Sequence, residues 1–239
     1  MIRAILTASR PISWVNTAVP FALAYLLDTG RVDWRLCVGF VFFLVPYNIA
    51  MYGINDVFDY ESDIRNPRKG GIEGAVLPPS MHRPLLVASA VTVAPFAAVL
   101  YAAGTRTSAA WLTLALAAVV AYSAPPLRLK EVPILDSATS STHFVAPALV
   151  GASLADATLE PPFTLAAALY LVAALACFAL PATGWVVGLL GLGYVANTAR
   201  YWNVTDATSA SVNRAWRVFL WLNYLTGAVV TISVLFLAL

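Results

Sequence analysis

The sequence predicts an all-α protein, a polytopic bundle of about eight membrane-spanning helices. Two observations predict this fold class. Of the 239 residues, 60% are hydrophobic and only 11% are charged, whereas charged residues make up roughly a quarter of an ordinary soluble domain. The charges also cluster in short segments between apolar runs about 17 to 25 residues long, which is the length that crosses a hydrocarbon core as a helix.

The apolar runs place the helices along the chain. The first run contains Asn16 and is followed by further runs, so we interpret it as a retained helix and not as a cleaved signal. In chain order, the predicted helices cover residues 12–29, 35–56, 84–103, 108–125, 135–154, 162–180, 183–202 and 215–238. We expect them to form a single transmembrane domain over residues 1–239.

Lysine and arginine in short loops predict the orientation, because these residues favour the cytoplasmic side of a membrane. With the N-terminus inside, an acidic segment at residues 55–63 also faces the cytoplasm. Arg200, Arg214 and Arg217 indicate a further inside loop before the last helix. An even number of crossings is then required between Lys130 and Arg200, but three are placed there. Either one of these runs is re-entrant or a helix is missing.

Composition excludes two classes of function. Cys37 and Cys177 both lie inside apolar runs, so neither a disulfide framework nor a cysteine-rich metal site is expected. The net charge is only +2, and no basic stretch is interleaved with aromatic residues. The sequence therefore predicts contact with membrane lipid and no nucleic-acid partner.

An acidic motif lies at the end of the second predicted helix. Asp56, Asp59 and Asp63 are spaced i, i+3, i+7, so a continuing helix presents all three on one face. With the amide oxygen of Asn55, they are the kind of ligands that Mg²⁺ binds together with the oxygens of a substrate phosphate. The sequence predicts a site for Mg²⁺ and a diphosphate. The alternative is a solvated acidic loop.

Two basic residues, Arg68 and Lys69, follow the acidic motif in a turn that contains glycine. Guanidinium and ammonium groups on a flexible turn can reach phosphate oxygens that metal ions leave uncovered. We therefore predict that both residues bind the diphosphate.

The pattern Asn55-Asp56-x-x-Asp59-x-x-x-Asp63 resembles the first aspartate-rich motif of the UbiA superfamily of intramembrane prenyltransferases. The segment from Tyr122 to Lys130 is similar to the segment after the fourth helix of that family. The resemblance implies an enzyme that uses Mg²⁺ to ionise an allylic diphosphate and transfers the prenyl group to a lipophilic acceptor. It also implies that Arg128 and Lys130 meet the diphosphate.

Longer stretches resemble one branch of this superfamily, the lycopene elongases of actinobacteria. These stretches are residues 10–16, 46–77, 136–147 and 200–224. The resemblance implies that the donor is dimethylallyl diphosphate, that the acceptor is lycopene, and that the product leads to C50 carotenoids. The tertiary cation formed on lycopene would lose a proton or capture water.

The chain departs from the family pattern in its second half. Family members resemble one another in having nine helices and a second aspartate-rich motif after the sixth, but this chain offers no loop for that motif. Asp156 and Glu160 lie in a loop that the charge bias places outside, which favours a solvated loop. We expect that a helix and its loop, about forty residues, are absent between about residues 151 and 181, which removes half of the metal site.

Several polar residues in the predicted helices are further candidates. Asp136 is the predicted catalytic residue. It would take a proton from a carbocation and so neutralise it, unless it only caps its helix. The predicted substrate contacts are Tyr52, Tyr122 and His143. For the tyrosines, the alternative is a position in the aromatic belt at the membrane interface. For the histidine, it is a hydrogen-bonded position in the core. Asn16 is predicted to contact the diphosphate or else to join two helices by a hydrogen bond.

Two other functions are considered. A catalytically silent relative could act as a membrane subunit or bind carotenoid, and it could form homo- or hetero-oligomers. A transporter whose acidic cluster binds a cation is disfavoured, because the aspartates lie at a loop mouth and not at the membrane midplane.

Overall fold

The computed structural model describes residues 1–65, 76–155 and 217–229 and the single positions 193, 196, 197 and 232. These residues are helical or irregular, and none of them forms a β-strand. The chain divides into two compact units, residues 1–167 and 168–239. The first unit contains the acidic motif and most of the described helices.

Eight α-helices make up the described part of the first unit. They are α1 (Ile2–Ala8), α2 (Val15–Thr29), α3 (Trp34–Leu44), α4 (Pro46–Phe58), α5 (Tyr60–Asp63), α6 (His82–Ala103), α7 (Arg106–Ser123) and α8 (Pro133–Ser153). Three short 3-10 helices cover Pro11–Ser13, Pro79–Met81 and Leu129–Glu131. The predicted spans at 84–103, 108–125 and 135–154 thus coincide with α6, α7 and α8 within a few residues.

The second predicted span is divided into α3 and α4 at Pro46. Proline has no N–H to donate and its ring clashes with the carbonyl one turn earlier, so the helix cannot continue unbroken. The side-chain amide of Asn48 donates to the carbonyl oxygens of Phe43 and Leu44 at 2.8 and 3.1 Å, and the Thr17 hydroxyl donates to Phe43 at 2.6 Å. These bonds satisfy carbonyl groups at the break. Because Thr17 belongs to α2, its bond also links α2 to the break.

The helix directions follow from contacts near the helix ends. The Tyr25 hydroxyl donates to Asp33 at 2.7 Å, where α2 passes into α3. This hydrogen bond holds the pKa of the Asp33 carboxyl below its usual range. The Thr105 hydroxyl donates to the Ser153 carbonyl at 2.7 Å, so α7 and α8 are antiparallel. The starts of α2 and α8 therefore lie at the same end of the bundle as the ends of α4 and α7, which we call the site end.

Aromatic and small side chains form the core between α2, α3, α4, α7 and α8. The Phe21 and Phe43 ring centroids lie 5.2 Å apart, and the Phe43 and Tyr47 centroids are also 5.2 Å apart. Helices α2 and α8 approach closely at Gly151, because a Cβ atom there would lie 2.3 Å from the Phe21 carbonyl oxygen. This core fixes the helices whose ends build the site end.

Two described stretches, Trp34–Phe58 and Pro79–Ala103, are 25 residues each and apolar enough to cross a membrane. Only 22% of an 18-residue apolar part of the second stretch is buried, and Val87 and Val91 on α6 are exposed. Exposed apolar side chains in a row of this length fit contact with hydrocarbon better than contact with water.

The second unit is described over a shorter length. Residues 217–229 are helical and fall within the predicted span at 215–238. The predicted helices at 162–180 and 183–202 lie outside the described residues, apart from positions 193, 196 and 197. The prediction of a single domain over residues 1–239 stays a prediction.

Candidate active site at one end of the helix bundle

The acidic motif follows a nearly continuous helical path at the site end. Asp59 caps α4, and its N–H donates to the Asn55 carbonyl at 2.9 Å. The Asp63 N–H in turn donates to the Asp59 carbonyl at 2.8 Å, at the end of α5. Asp56 and Asp63 are buried, whereas Asn55 and Asp59 are half-buried. The predicted helical continuation through the motif is therefore present in the backbone.

Asp56 pairs with a residue that the sequence did not predict to be in the site. Nη2 of Arg10 donates to Oδ1 of Asp56 at 3.0 Å. The Arg10 guanidinium also lies over the Tyr52 ring, 4.3 Å from its centroid. Arg10 precedes the 3-10 helix that leads into α2 and has a φ of 51°. Arg10 thus brings the start of α2 to the end of α4.

Asp59 faces the two basic residues that the family resemblance implies. Nζ of Lys130 forms an ion pair with Oδ1 of Asp59 and lies 3.5 Å from Oδ1 of Asn55. Nη2 of Arg128 lies 3.8 Å from the same Asp59 oxygen. The Ser123 hydroxyl at the end of α7 donates to Oδ1 of Asn55 at 2.9 Å. The predicted acidic motif and the predicted basic segment therefore meet at the site end.

Arg128 and Lys130 lie in the segment after α7, and contacts made by Arg128 hold this segment in place. This residue has a φ of 40°, its Nε lies 2.6 Å from a carboxylate oxygen of Glu131, and its Nη1 donates to the Phe58 carbonyl at 3.2 Å. The last contact reaches the final turn of α4. Arg128 therefore fixes the basic segment against the end of the acidic helix.

Tyr122, Asp136 and His143 form a second group where α7 meets α8. The Tyr122 hydroxyl and the Asp136 carboxylate lie within range of a polar interaction. The Tyr122 ring meets the His143 ring edge to face, with the centroids 5.3 Å apart. Lys130 Nζ lies 5.9 Å from the Tyr122 centroid. Tyr122 therefore joins the charged site end to the polar face of α8.

Several predicted residues are not brought into these contacts. Asn16 is half-buried on α2, and its side chain makes no hydrogen bond to another residue in the described part of the chain. Arg68 and Lys69 lie outside the described residues, as do Asp156 and Glu160. Most of the region in which we expect a missing helix and loop, between about residues 151 and 181, also lies outside them.

Lys130 marks the point at which two candidate metal ligands converge. Its ammonium group contacts oxygens of both Asn55 and Asp59. An amide oxygen and a carboxylate oxygen that share one cation are ligands that suit Mg²⁺, so this donor set fits the ion. Within residues 1–65, 76–155 and 217–229, no three His, Cys, Asp or Glu side chains are grouped to hold a metal. A joint metal site of Asn55, Asp56, Asp59 and Asp63 stays a prediction.

Comparison with known proteins identifies the family of this chain. A family model described as the UbiA prenyltransferase family matches residues 17–183. The chain belongs to this family. UbiA family proteins are integral membrane prenyltransferases that use a prenyl diphosphate and a lipophilic acceptor. Membership confirms the predicted resemblance, the all-α membrane bundle and the enzyme class.

Several curated relatives have names that refer to carotenoid biosynthesis. This chain is 50% identical to a lycopene elongase/hydratase of Corynebacterium glutamicum, and the alignment covers 97% of this chain and 96% of the relative. It is 46% identical to the C(50) beta-cyclic carotenoids biosynthesis protein LbtBC of a Dietzia species, over 95% of this chain and 63% of the relative. A lycopene elongase/hydratase of Haloarcula japonica is 34% identical over 66% of this chain and 53% of the relative.

The alignment with the Corynebacterium relative extends over 275 residues, more than the 239 residues of this chain. The relative therefore contains residues that have no counterpart here. This difference is similar in size to a helix with its loop, about forty residues.

A solved structure supports the fold. The UbiA homolog from Archaeoglobus fulgidus bound to DMAPP and Mg²⁺ superimposes with a TM-score of 0.53 at 19% identity. The match covers 98% of this chain and 85% of the homolog. The same homolog bound to Cd²⁺ gives a TM-score of 0.54 at 17% identity. At these identities, the likeness shows the helical fold alone.

Proposed function

We propose that this UbiA protein transfers dimethylallyl groups, each with five carbons, from dimethylallyl diphosphate to the ends of lycopene in the biosynthesis of C50 carotenoids. One observation carries the proposal. Amide and carboxylate oxygens of Asn55 and Asp59 face the cations of Lys130 and Arg128 at one bundle end. This occurs in a chain that is 50% identical to a lycopene elongase/hydratase. Opposed oxygen ligands and cations are what a metal-bound diphosphate requires.

The acidic motif would hold the metal. Asn55, Asp56, Asp59 and Asp63 are the proposed ligands of Mg²⁺. When bound, Mg²⁺ supplies positive charge that stabilises the departing diphosphate. Arg10 and Lys130 neutralise Asp56 and Asp59 in the structure described here. We propose that these cations release the carboxylates when metal and substrate bind.

The basic residues of the site end would bind the diphosphate. Arg128 and Lys130 come from the segment after α7, and Arg68 and Lys69 from the turn after the acidic motif. Charge on the phosphate oxygens grows as the C1–O bond of the donor breaks, so cations positioned at those oxygens lower the barrier. Asn16 is the proposed additional contact on α2.

The acceptor would meet the donor beyond the charged groups, inside the bundle. The Tyr52 and Tyr122 rings border the site end, and aromatic faces stabilise carbocations by cation–π attraction. His143 is the proposed third contact with the substrate. Asp136 is the proposed residue that removes a proton from the tertiary cation. Positively charged loops favour a cytoplasmic position for this end.

The proposal is tested in cells that accumulate lycopene. Expression of this chain should convert lycopene, which has 40 carbons, into products extended by one or two five-carbon units, identified by mass spectrometry. Asp56→Ala should abolish both products, because a proposed metal ligand is lost. Unconverted lycopene beside a folded wild-type protein would instead favour the silent relative that binds carotenoid or serves as a membrane subunit.

A further inference from the structure

His143 is a buried imidazole, and one of its two ring nitrogens has no hydrogen-bond partner among the described residues. The residue is 4% exposed, and its Nδ1 atom has no hydrogen-bond partner among the described residues. An ionisable side chain that is buried in this way within a membrane bundle is a candidate for function, because a partner or a ligand is needed to offset its burial.

Its position is defined by Tyr122 on α7. The Tyr122 ring has the Lys130 ammonium 5.9 Å from its centroid and the His143 ring edge to face at 5.3 Å. Asp136 lies within range of a polar interaction with the hydroxyl of the same tyrosine. His143 follows Asp136 by seven residues on α8, which corresponds to about 10 Å along the helix. His143 therefore lies deeper in the bundle than the charged groups of the site end.

The chemistry of the proposed reaction requires a base at such a depth. The C1–O bond of the donor breaks, and C1 forms a bond with one carbon of the terminal double bond of the acceptor. The positive charge is left on the other carbon of that double bond. This carbon lies beyond C1 as seen from the diphosphate, so a group that assists its capture is best placed on the inner side of the site.

We infer that His143 is a catalytic residue that directs the capture of this cation by water. This inference rests on the proposed function. The Nδ1 lone pair accepts a hydrogen bond from one water molecule. The water oxygen forms a C–O bond with the cationic carbon, and its proton passes to the imidazole. The product is a tertiary alcohol, and the imidazolium returns its proton to the departed diphosphate or to solvent.

Asp136 is less suited to this step, although it is a candidate for proton removal. It lies in the first turn of α8, with its carboxylate near the Tyr122 hydroxyl. Tyr122 in turn lies beside Lys130 at the charged site end. In this assignment, Asp136 positions the Tyr122 ring and His143 contacts the reacting water.

The test compares product distributions from purified protein in liposomes supplied with lycopene, dimethylallyl diphosphate, Mg²⁺ and ¹⁸O-labelled water. His143→Phe keeps the ring volume but removes the lone pair. His143→Asn keeps an acceptor near Nδ1 but cannot take a proton. In both variants, the ratio of ¹⁸O-hydroxylated to non-hydroxylated products should fall by about 100-fold, the lower end of a general-base contribution.

His82→Phe is the matched control, since His82 also meets a tyrosine ring edge to face, with centroids 4.9 Å from Tyr60, but starts α6. Its product ratio should equal that of the wild type. Added imidazole should partly restore hydroxylated product in His143→Ala, which a purely structural role for the ring would not allow.

The outcomes separate the two proposals. Hydroxylated product at an unchanged ratio in His143→Phe, or a ratio that falls only in Asp136→Asn, would overturn the role of His143 and leave the transfer reaction standing. A wild type that extends lycopene without incorporating ¹⁸O would also overturn it. A wild type that forms no extended product would overturn the proposed function and this inference together.

Discussion

At the scale of single residues, the site end contains carboxylates paired with cations from other segments of the chain. Asp56 faces Arg10, and Asp59 faces Lys130 and Arg128. Charges removed from water carry a large desolvation cost, so each of these groups requires a partner of opposite charge. We propose that the same cations bind phosphate oxygens when a metal binds the carboxylates.

Replacing Lys130 tests its role towards the diphosphate. In Lys130→Ala, kcat/KM for dimethylallyl diphosphate should fall by about 100-fold, because one positioned charge is lost from the leaving group. Arg106→Ala is the control: this exposed arginine starts α7, at the opposite end of the bundle, and its loss should change kcat/KM by less than about twofold. A fully active Lys130→Ala protein would contradict the assignment.

Replacing Arg10 tests the buried ion pair. The Arg10 and Asp56 side chains are 17% and 1% exposed. Arg10→Met should therefore lower the free energy of unfolding by about 3 kcal/mol, since the buried Asp56 carboxylate loses the Arg10 cation. Unfolding in mixed micelles measures this loss. The double variant Arg10→Met/Asp56→Asn should recover part of the loss, and Arg3→Met on the exposed face of α1 should change little. Equal stabilities for Arg10→Met and Arg3→Met would rule out a stabilising pair.

At the scale of helices, close packing sets the positions of the side chains at the proposed site. Helix α2 contributes Arg10 from its preceding turn, and α8 contributes Asp136 and His143. The two helices approach at Gly151, where a Cβ atom would lie 2.3 Å from the Phe21 carbonyl oxygen. A backbone atom cannot yield as a flexible side chain does, so this crossing requires glycine.

Gly151→Ala should accordingly destabilise the bundle by about 1–3 kcal/mol. Thermal unfolding in detergent should show a lower midpoint, with reduced activity as α8 shifts. Gly227→Ala is the matched control, since a Cβ atom there meets nothing within 4 Å among the described residues. If both variants unfold at the wild-type temperature, the close approach of α2 and α8 does not exist as described.

At the scale of the whole molecule, the site end is predicted to face the cytoplasm. The test uses single cysteines in a chain without Cys37 and Cys177. Cysteine at Ser62, an exposed position on α5, should react with a membrane-impermeant maleimide only in inverted vesicles. Cysteine at Val32, exposed between α2 and α3, should react only from the outside. The reverse pattern would overturn the predicted orientation.

The sequence predicted α6, α7 and α8 well, because the length and hydropathy of an apolar run determine where such a helix lies. It predicted one helix over residues 35–56, because hydropathy does not depend on the N–H that Pro46 lacks. The proline in the sequence could have predicted the break. It placed Asp59 and Lys130 in one site through the family resemblance. The Arg10–Asp56 pair joins residues 46 positions apart, and such a contact depends on how α2 packs and not on any local pattern.

The measurement that most directly tests the central claim uses this chain alone. Purified protein in liposomes receives lycopene, dimethylallyl diphosphate and Mg²⁺, and the carotenoids are analysed by mass spectrometry. Prenyl transfer at the site end predicts products of 45 and 50 carbons that disappear when EDTA removes the metal. Lycopene that stays at 40 carbons in the presence of folded protein and Mg²⁺ would contradict the proposed function.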